Sequence, residues 1–148
     1  QEPAERALAL VGRRQLDRAR SDARAFVVEG SAGMGLLEGK IAIVSGVGPG
    51  MGQAMARTAA QEGAKVALAA RRQALLDEVV ADIRAAGGEA IGVSTDVSDQ
   101  AQCDRLAAAT LEAFGRIDGL VNSAYVAGES GPFEGGNVES WKQAFDVN

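Results

Sequence analysis

The chain has 148 residues, 47% of them hydrophobic and 24% charged, with 19 glycines, one cysteine and no histidine. That length and apolar fraction suit one domain with a sizeable core. The histidine and cysteine counts exclude a histidine-based triad, a histidine-containing zinc site and an internal disulfide, so no metal site is expected. A net charge of −5 offers no footprint for nucleic acid or an anionic membrane, and no apolar run approaches the roughly 20 residues of a membrane span.

Residues 1–33 stand apart from the rest. They hold six arginines and five acids, a local charge of +1 against −6 for the remainder. Helix formers dominate from Ala4 to Ala25, but Leu8, Val11, Leu16 and Ala19 make only a thin apolar stripe, and Gly30-Ser31-Ala32-Gly33 reads as a flexible break. This stretch is expected to be a weakly structured or helical extension without a signal peptide; a helix that docks on another subunit is the sharper alternative. Met34 is the expected start of the natural domain, residues 34–148.

From Lys40 onward strands and helices alternate. Ile41-Ala42-Ile43-Val44 is a continuous apolar run of the kind that a strand buried on both faces shows. After a glycine-rich turn, Met51, Ala54, Met55, Thr58 and Ala59 recur at helical spacing, and Gly63 is placed to end that helix. Val66 to Ala70 reads as a second strand. Leu75, Leu76, Val79, Val80 and Ile83 mark a second helix stopped by Gly87-Gly88. Ile91-Gly92-Val93 is a third strand, and Ser98 or Asp99 caps a third helix carrying Cys103, Leu106, Thr110, Leu111 and Phe114 and closed by Gly115. Cys103 reads as a small buried apolar residue, and a lone thiol fits a reducing, cytoplasmic setting. Ile117 to Val121 is the fourth strand, and Val138 to Val147 looks helical. Four alternations at this spacing predict βαβ crossovers: an α/β fold, a Rossmann-like doubly wound parallel sheet of about four strands.

The first strand–turn–helix holds Ser45-Gly46-Val47-Gly48-Pro49-Gly50-Met51-Gly52. Residues without a Cβ let a phosphate approach the backbone N–H groups at a helix N-terminus. The spacing departs from G-x-G-x-x-G, because Met51 stands where the third glycine belongs, and no Lys-Ser/Thr follows as in a P-loop. A purely structural turn stays open at this point. After the second strand a site for NAD would carry an acid for the ribose hydroxyls. Here Ala70 is followed by Arg71-Arg72, and no acid appears before Asp77. Two guanidiniums there favour a 2′-phosphate, hence NADP(H) over NAD(H), with solvated arginines leading a helix as the plainer alternative.

These residues together resemble the short-chain dehydrogenase/reductase family. Gly46, Gly50 and Gly52 match its turn T-G-x-x-x-G-x-G, with Ser45 in place of Thr. Asp96-Val97 sits where the family often carries Asp-Val at the adenine. Asp118, Asn122 and Ala124 match the fourth-strand motif ending N-N-A-G, which departs here at Ser123 and at Tyr125, where a tyrosine replaces glycine near the nicotinamide. Trp141 through Asp146-Val147-Asn148 resembles the helix bearing the family's active-site Asn. The resemblance covers residues 36–148. It implies a cofactor site at Ser45, Gly46, Gly48, Gly50, Met51, Gly52, Arg71, Arg72, Asp96, Val97, Asn122, Ser123 and Ala124, with Asn148 the one catalytic residue present.

The implied activity is hydride transfer between a nicotinamide and a small-molecule alcohol or carbonyl substrate, in a cytoplasmic protein that assembles as a homo-oligomer. The family's Tyr-x-x-x-Lys pair is absent: the single tyrosine, Tyr125, has Glu129 four residues on. The chain is therefore expected to be a portion cut before the catalytic pair, inactive alone, poorly soluble or partly molten, and with its fourth strand an exposed apolar edge. Alternatives are an S-adenosylmethionine-dependent methyltransferase-like domain, since Gly46-x-Gly48-x-Gly50 also fits that loop, and a non-catalytic nucleotide-binding or interaction module.

Overall fold

A computed structural model describes residues 35–129 and 134–148. The expected N-terminal extension, residues 1–33, lies outside the described residues. The elements run in the order β1 (Ile41–Ser45), α1 (Met51–Gln61), β2 (Lys65–Ala70), α2 (Gln73–Ala85), β3 (Ala90–Ser94), α3 (Gln100–Phe114), β4 (Gly119–Asn122) and α4 (Val138–Val147). All four strands pair in parallel, in the order β3-β2-β1-β4. The chain thus winds outward from β1 to β3, then crosses back through α3 to place β4 on the other side of β1.

Side-chain alternation along the central strands divides the core into two layers. Val44, Val66 and Leu68 point to one face and pack with Ala56 of α1 and with Leu76, Val79, Val80 and Ile83 of α2. Ile43, Ala67 and Ala69 point to the other and pack with Leu106 of α3, flanked by Phe114. Helices therefore cover both faces, the arrangement of a doubly wound sheet. Leu68, Leu76, Val44 and Val66 are fully buried.

Three sequence expectations are corrected. The apolar repeat in α1 pointed to Met51, Ala54, Met55, Thr58 and Ala59; of these Ala59 packs against the core and Met55 is half-buried. The buried residues, however, are Gly52 and Ala56, and Met51, Ala54 and Thr58 are exposed. Close approach decides this: a Cβ at Gly52 would lie 2.3 Å from the carbonyl oxygen of Gly46, so the face against the turn must be built from small residues. The fourth strand starts at Gly119 rather than Ile117, because Asp118 caps the neighbouring strand: its carboxylate accepts from the Ile41 N–H at 2.8 Å. Cys103 is half-buried rather than buried, its thiol 3.6 Å from the Val97 carbonyl. Helix α3 is capped by Asp99, whose carboxylate accepts from the Gln102 N–H.

Candidate functional site at the carboxyl ends of the strands

The register sets Ser45, Ala69, Val93 and Asn122 in one row across the sheet. The loop leaving each strand therefore emerges along the same edge. Those four exits line a cleft of about 430 Å³: Gly46 to Gly48 after β1, Ala70 to Arg72 at and after β2, Thr95 to Ser98 after β3 and Ser123 to Val126 after β4. Gln143, Asp146 and Val147 of α4 complete the wall. In an open α/β sheet this edge is where ligands bind, at the point where the strand order reverses; here that is between β1 and β4.

Three glycines of the turn do different work. Gly46 has φ +78°, and a Cβ on it would lie 2.2 Å from the Ala124 backbone nitrogen, so the turn and the end of β4 close on each other only through glycine. Gly52 serves the packing of α1 against the turn. Gly48 lines the cleft, and a Cβ on it would meet, beyond its chain neighbours and among the described residues, nothing nearer than the Gly46 carbonyl oxygen at 4.0 Å. Among the described residues nothing excludes a side chain there, while the Gly48 N–H donates to the Gly46 carbonyl at 2.7 Å.

The helices around the cleft are capped unequally. Helices α3 and α4 carry Asp99 and Asn137 as side-chain caps. Helices α1 and α2 start at Gly50 and Arg72 with no side-chain cap, and neither has an acid in its first turn. Their leading N–H groups, at the positive ends of the helix dipoles, suit an anion. At the second of these starts Arg71 and Arg72 line the cleft, both exposed. Among the described residues neither forms an ion pair within 4 Å. Asp96, after β3, is held by Ser98: its Oδ1 accepts from the Ser98 hydroxyl at 2.7 Å and from the Ser98 N–H at 3.1 Å. These two bonds, aided by the charge of Arg71, hold its carboxyl below the usual aspartate range.

On the β4 side the backbone is clipped rather than buried. The Ser123 N–H donates to the Ser45 carbonyl at 3.1 Å, and the Ser45 hydroxyl lies 3.3 Å from both the Val121 carbonyl and Asn122 Oδ1. Asn148 holds Val126 at two points, accepting from its N–H and donating to its carbonyl, each at 3.0 Å. The Glu129 N–H donates to the Ser140 hydroxyl at 2.9 Å. Between these clips Tyr125 lines the cleft and is 75% exposed.

A cleft flanked by two helix starts without side-chain caps, with two arginines toward one end, suits an extended ligand bearing phosphates. The sequence model of short chain dehydrogenases matches residues 40–148. The chain belongs to that family. A 2,5-dichloro-2,5-cyclohexadiene-1,4-diol dehydrogenase, LinX, of Sphingobium indicum is 40% identical over 112 residues, 76% of this chain and 44% of that protein. A metagenomic short-chain oxidoreductase solved in complex with NADP is 38% identical with a TM-score of 0.70, over 75% of this chain and 50% of that one. A short chain dehydrogenase from Mycobacterium smegmatis is 34% identical with a TM-score of 0.73, over 78% and 48%. The chain thus spans about half the length of the relatives it matches. Membership of this family does not favour the methyltransferase alternative.

In this short-chain dehydrogenase chain the cleft brings together Gly46, Gly48, Arg71, Arg72, Asp96, Val97, Ser123 and Ala124 of the residues singled out from sequence. Ser45, Gly50, Met51, Gly52, Asn122 and Asn148 stand behind or beside its lining. Ser45 and Asn122 join β1 to β4, Gly50 and Gly52 shape the turn and helix start, and the Asn148 amide is spent on Val126. Val47, Thr95, Ser98 and Gln143 line the cleft without having been singled out. Thr95 carried a usable signal, since it directly succeeds a strand that ends in the shared row. Among the described residues no acidic or cysteine cluster could hold a metal, and no helix is long and apolar enough to cross a membrane.

Proposed function

We propose that this chain is the cofactor-binding part of an NADP(H)-dependent short-chain oxidoreductase acting on a small-molecule alcohol or carbonyl compound. The observation that carries the cofactor preference is the pair Arg71 and Arg72 on the cleft wall, with no ion-paired acid at the end of β2. A carboxylate there would accept from ribose hydroxyls; a guanidinium fork matches a 2′-phosphate instead. The metagenomic relative that holds NADP supports the same reading. When bound, the cofactor supplies or accepts the hydride. This chain's own residues bind and orient it: the uncapped start of α1 receives the pyrophosphate, Arg71 the 2′-phosphate, and Asp96-Val97 the adenine side, and the side-chain-free Gly48 lets the pyrophosphate approach. Asn148 serves as a positioning residue, fixing the backbone at Val126.

Tyr125 and Glu129 do not make a Tyr-x-x-x-Lys pair, so the 148-residue chain alone is read as inactive. Strand β4 is the sheet's edge and its Leu120 is 59% exposed, which supports a further strand of the whole protein pairing there. The whole protein is read as a cytoplasmic homo-oligomer with no nucleic-acid or membrane partner.

Equilibrium titration with NADPH and NADH tests the preference. NADPH binds more tightly, and Arg71→Ala weakens NADPH roughly tenfold while leaving NADH within about twofold, the size expected for one charge-assisted bond. Tighter NADH binding, or no response to Arg71→Ala, overturns it.

A further inference from the structure

Tyr125 is the departure from the family motif that the cofactor reading leaves without a role. The cleft crosses the ends of four strands, about 14 Å from β3 to β4 at the usual strand spacing. Asp96, Arg71 and Arg72 occupy one end, the glycine turn the middle, and Tyr125 the other. On the proposed dinucleotide reading, on which this inference rests, the pyrophosphate lies at the glycine turn and the adenosine half toward the arginines. The second half of the molecule must then run along the exit of β4.

The ring of Tyr125 stands there on a fixed backbone. On one side Ala124 packs against Gly46 so closely that a Cβ would not fit. On the other, Val126 is held at two points by Asn148. The side chain itself is 75% exposed, and among the described residues its hydroxyl has no hydrogen-bond partner. No other aromatic side chain among the described residues lines the cleft. An uncovered aromatic face on a backbone clipped at both sides, at the end of a cleft read as a nucleotide site, suits the flat face of a heteroaromatic ring, which it can meet in an offset stack.

We propose that Tyr125 is a specificity-determining contact for the nicotinamide half of the dinucleotide, its ring stacking on that half while the adenosine half is held independently at the other end. The probes are NADPH and NADH, each beside its adenosine half, 2′,5′-ADP or ADP. They are titrated against the full chain and its Tyr125→Ala and Tyr125→Phe variants, with folding checked by circular dichroism and the emission of the reduced nicotinamide as a second readout. Tyr125→Ala weakens the preferred dinucleotide roughly three- to tenfold, the range of an aromatic contact, and lowers the emission change. It leaves the adenosine half within about twofold, and Tyr125→Phe behaves as wild type. The proposal is overturned if Tyr125→Ala leaves the dinucleotide unchanged, if it tightens binding and so shows the ring to be an obstacle, or if both halves weaken alike. If wild type binds the adenosine half but gains nothing from the nicotinamide half, only the Tyr125 contact fails. If it binds neither, the dinucleotide reading itself fails and this proposal with it.

Discussion

The two sides of the cleft are held in place by different forces. On the β1–β2–β3 side, strands are covered on both faces, and Val44, Leu68 and Leu76 are fully buried. On the β4–α4 side no residue of α4 is buried, Leu120 is 59% exposed and Phe145 is 85% exposed. Polar clips take over there: Asp118 to Ile41, Ser45 to β4, Asn148 to Val126 and Ser140 to Glu129. A buried leucine is worth about 1.5–3 kcal/mol, whereas a partly exposed hydrogen bond nets about 1 kcal/mol. The wall proposed for the adenosine half therefore inherits a packed core, and the wall proposed for the nicotinamide half rests on a few directional bonds.

The sharpest way to break this contrast is to truncate one leucine on each side. Leu76→Ala removes a fully buried side chain between α2 and the sheet, and is expected to cost about 2–5 kcal/mol by urea unfolding. Leu120→Ala removes a mostly exposed one and should change stability by less than about 0.5 kcal/mol. Equal effects would mean that β4 is as much a part of the core as β2. Next in size comes a comparison of two turn glycines, of which Gly46 joins the two sides and Gly48 does not. Gly46→Ala forces a side chain into a left-handed backbone and onto the Ala124 nitrogen; strain alone costs about 1–3 kcal/mol and the melting temperature falls. Gly48→Ala meets nothing nearer than the Gly46 carbonyl oxygen at 4.0 Å among the described residues, so melting is retained while nucleotide affinity drops. A Gly48 variant that melts early would show that this glycine serves the fold.

How far the sequence anticipates this arrangement depends on what each segment buries. Strands β1 and β2 are buried on both faces and so appear as unbroken apolar runs, and α2 shows its inward residues, Leu76, Val79, Val80 and Ile83, at true helical spacing. In α1 periodicity is right only in part: Ala59 of the repeat packs against the core, but the buried positions are the small Gly52 and Ala56, while the larger Met51 faces outward. The cleft is legible for a topological reason: in a parallel sheet every strand ends at the same edge, so motifs just past the strands, such as Gly46–Gly48, Arg71–Arg72 and Asp96–Val97, converge. Which of their members face the cleft is not written in the spacing. Asn148 shows this, since only the structure reveals both ends of its amide engaged with Val126.

Smaller perturbations probe the clips themselves. Asn148→Ala deletes both bonds to Val126 and should cost about 1 kcal/mol at most. Its clearer sign is faster hydrogen exchange at the Val126 amide, with the amides of β2 unchanged. Protection that survives the substitution would mean that packing, and not the amide, orders the loop beside Tyr125.

The smallest effect concerns the clip at the start of β4. Asp118 accepts from the Ile41 N–H and from Arg116, and these bonds hold its carboxyl below the ordinary 3.8. A carboxylate whose folded pKa lies below its unfolded value stabilises the fold fully above the unfolded value. That contribution fades as pH falls through the folded one, because the proton then neutralises the acceptor. Melting midpoints measured from pH 7 down to pH 2 should therefore separate wild type from Asp118→Asn at neutral pH and converge at the acid end. Asparagine keeps an acceptor for Ile41 but has no charge to lose, so its curve should be the flatter of the two below pH 4. Parallel curves would place the acid sensitivity elsewhere; Asp96 and Asp99, also held low by their hydrogen bonds, are the next groups to neutralise, and both lie on the β3 side. That outcome would move the pH-sensitive contacts from the clipped side of the molecule to the packed one.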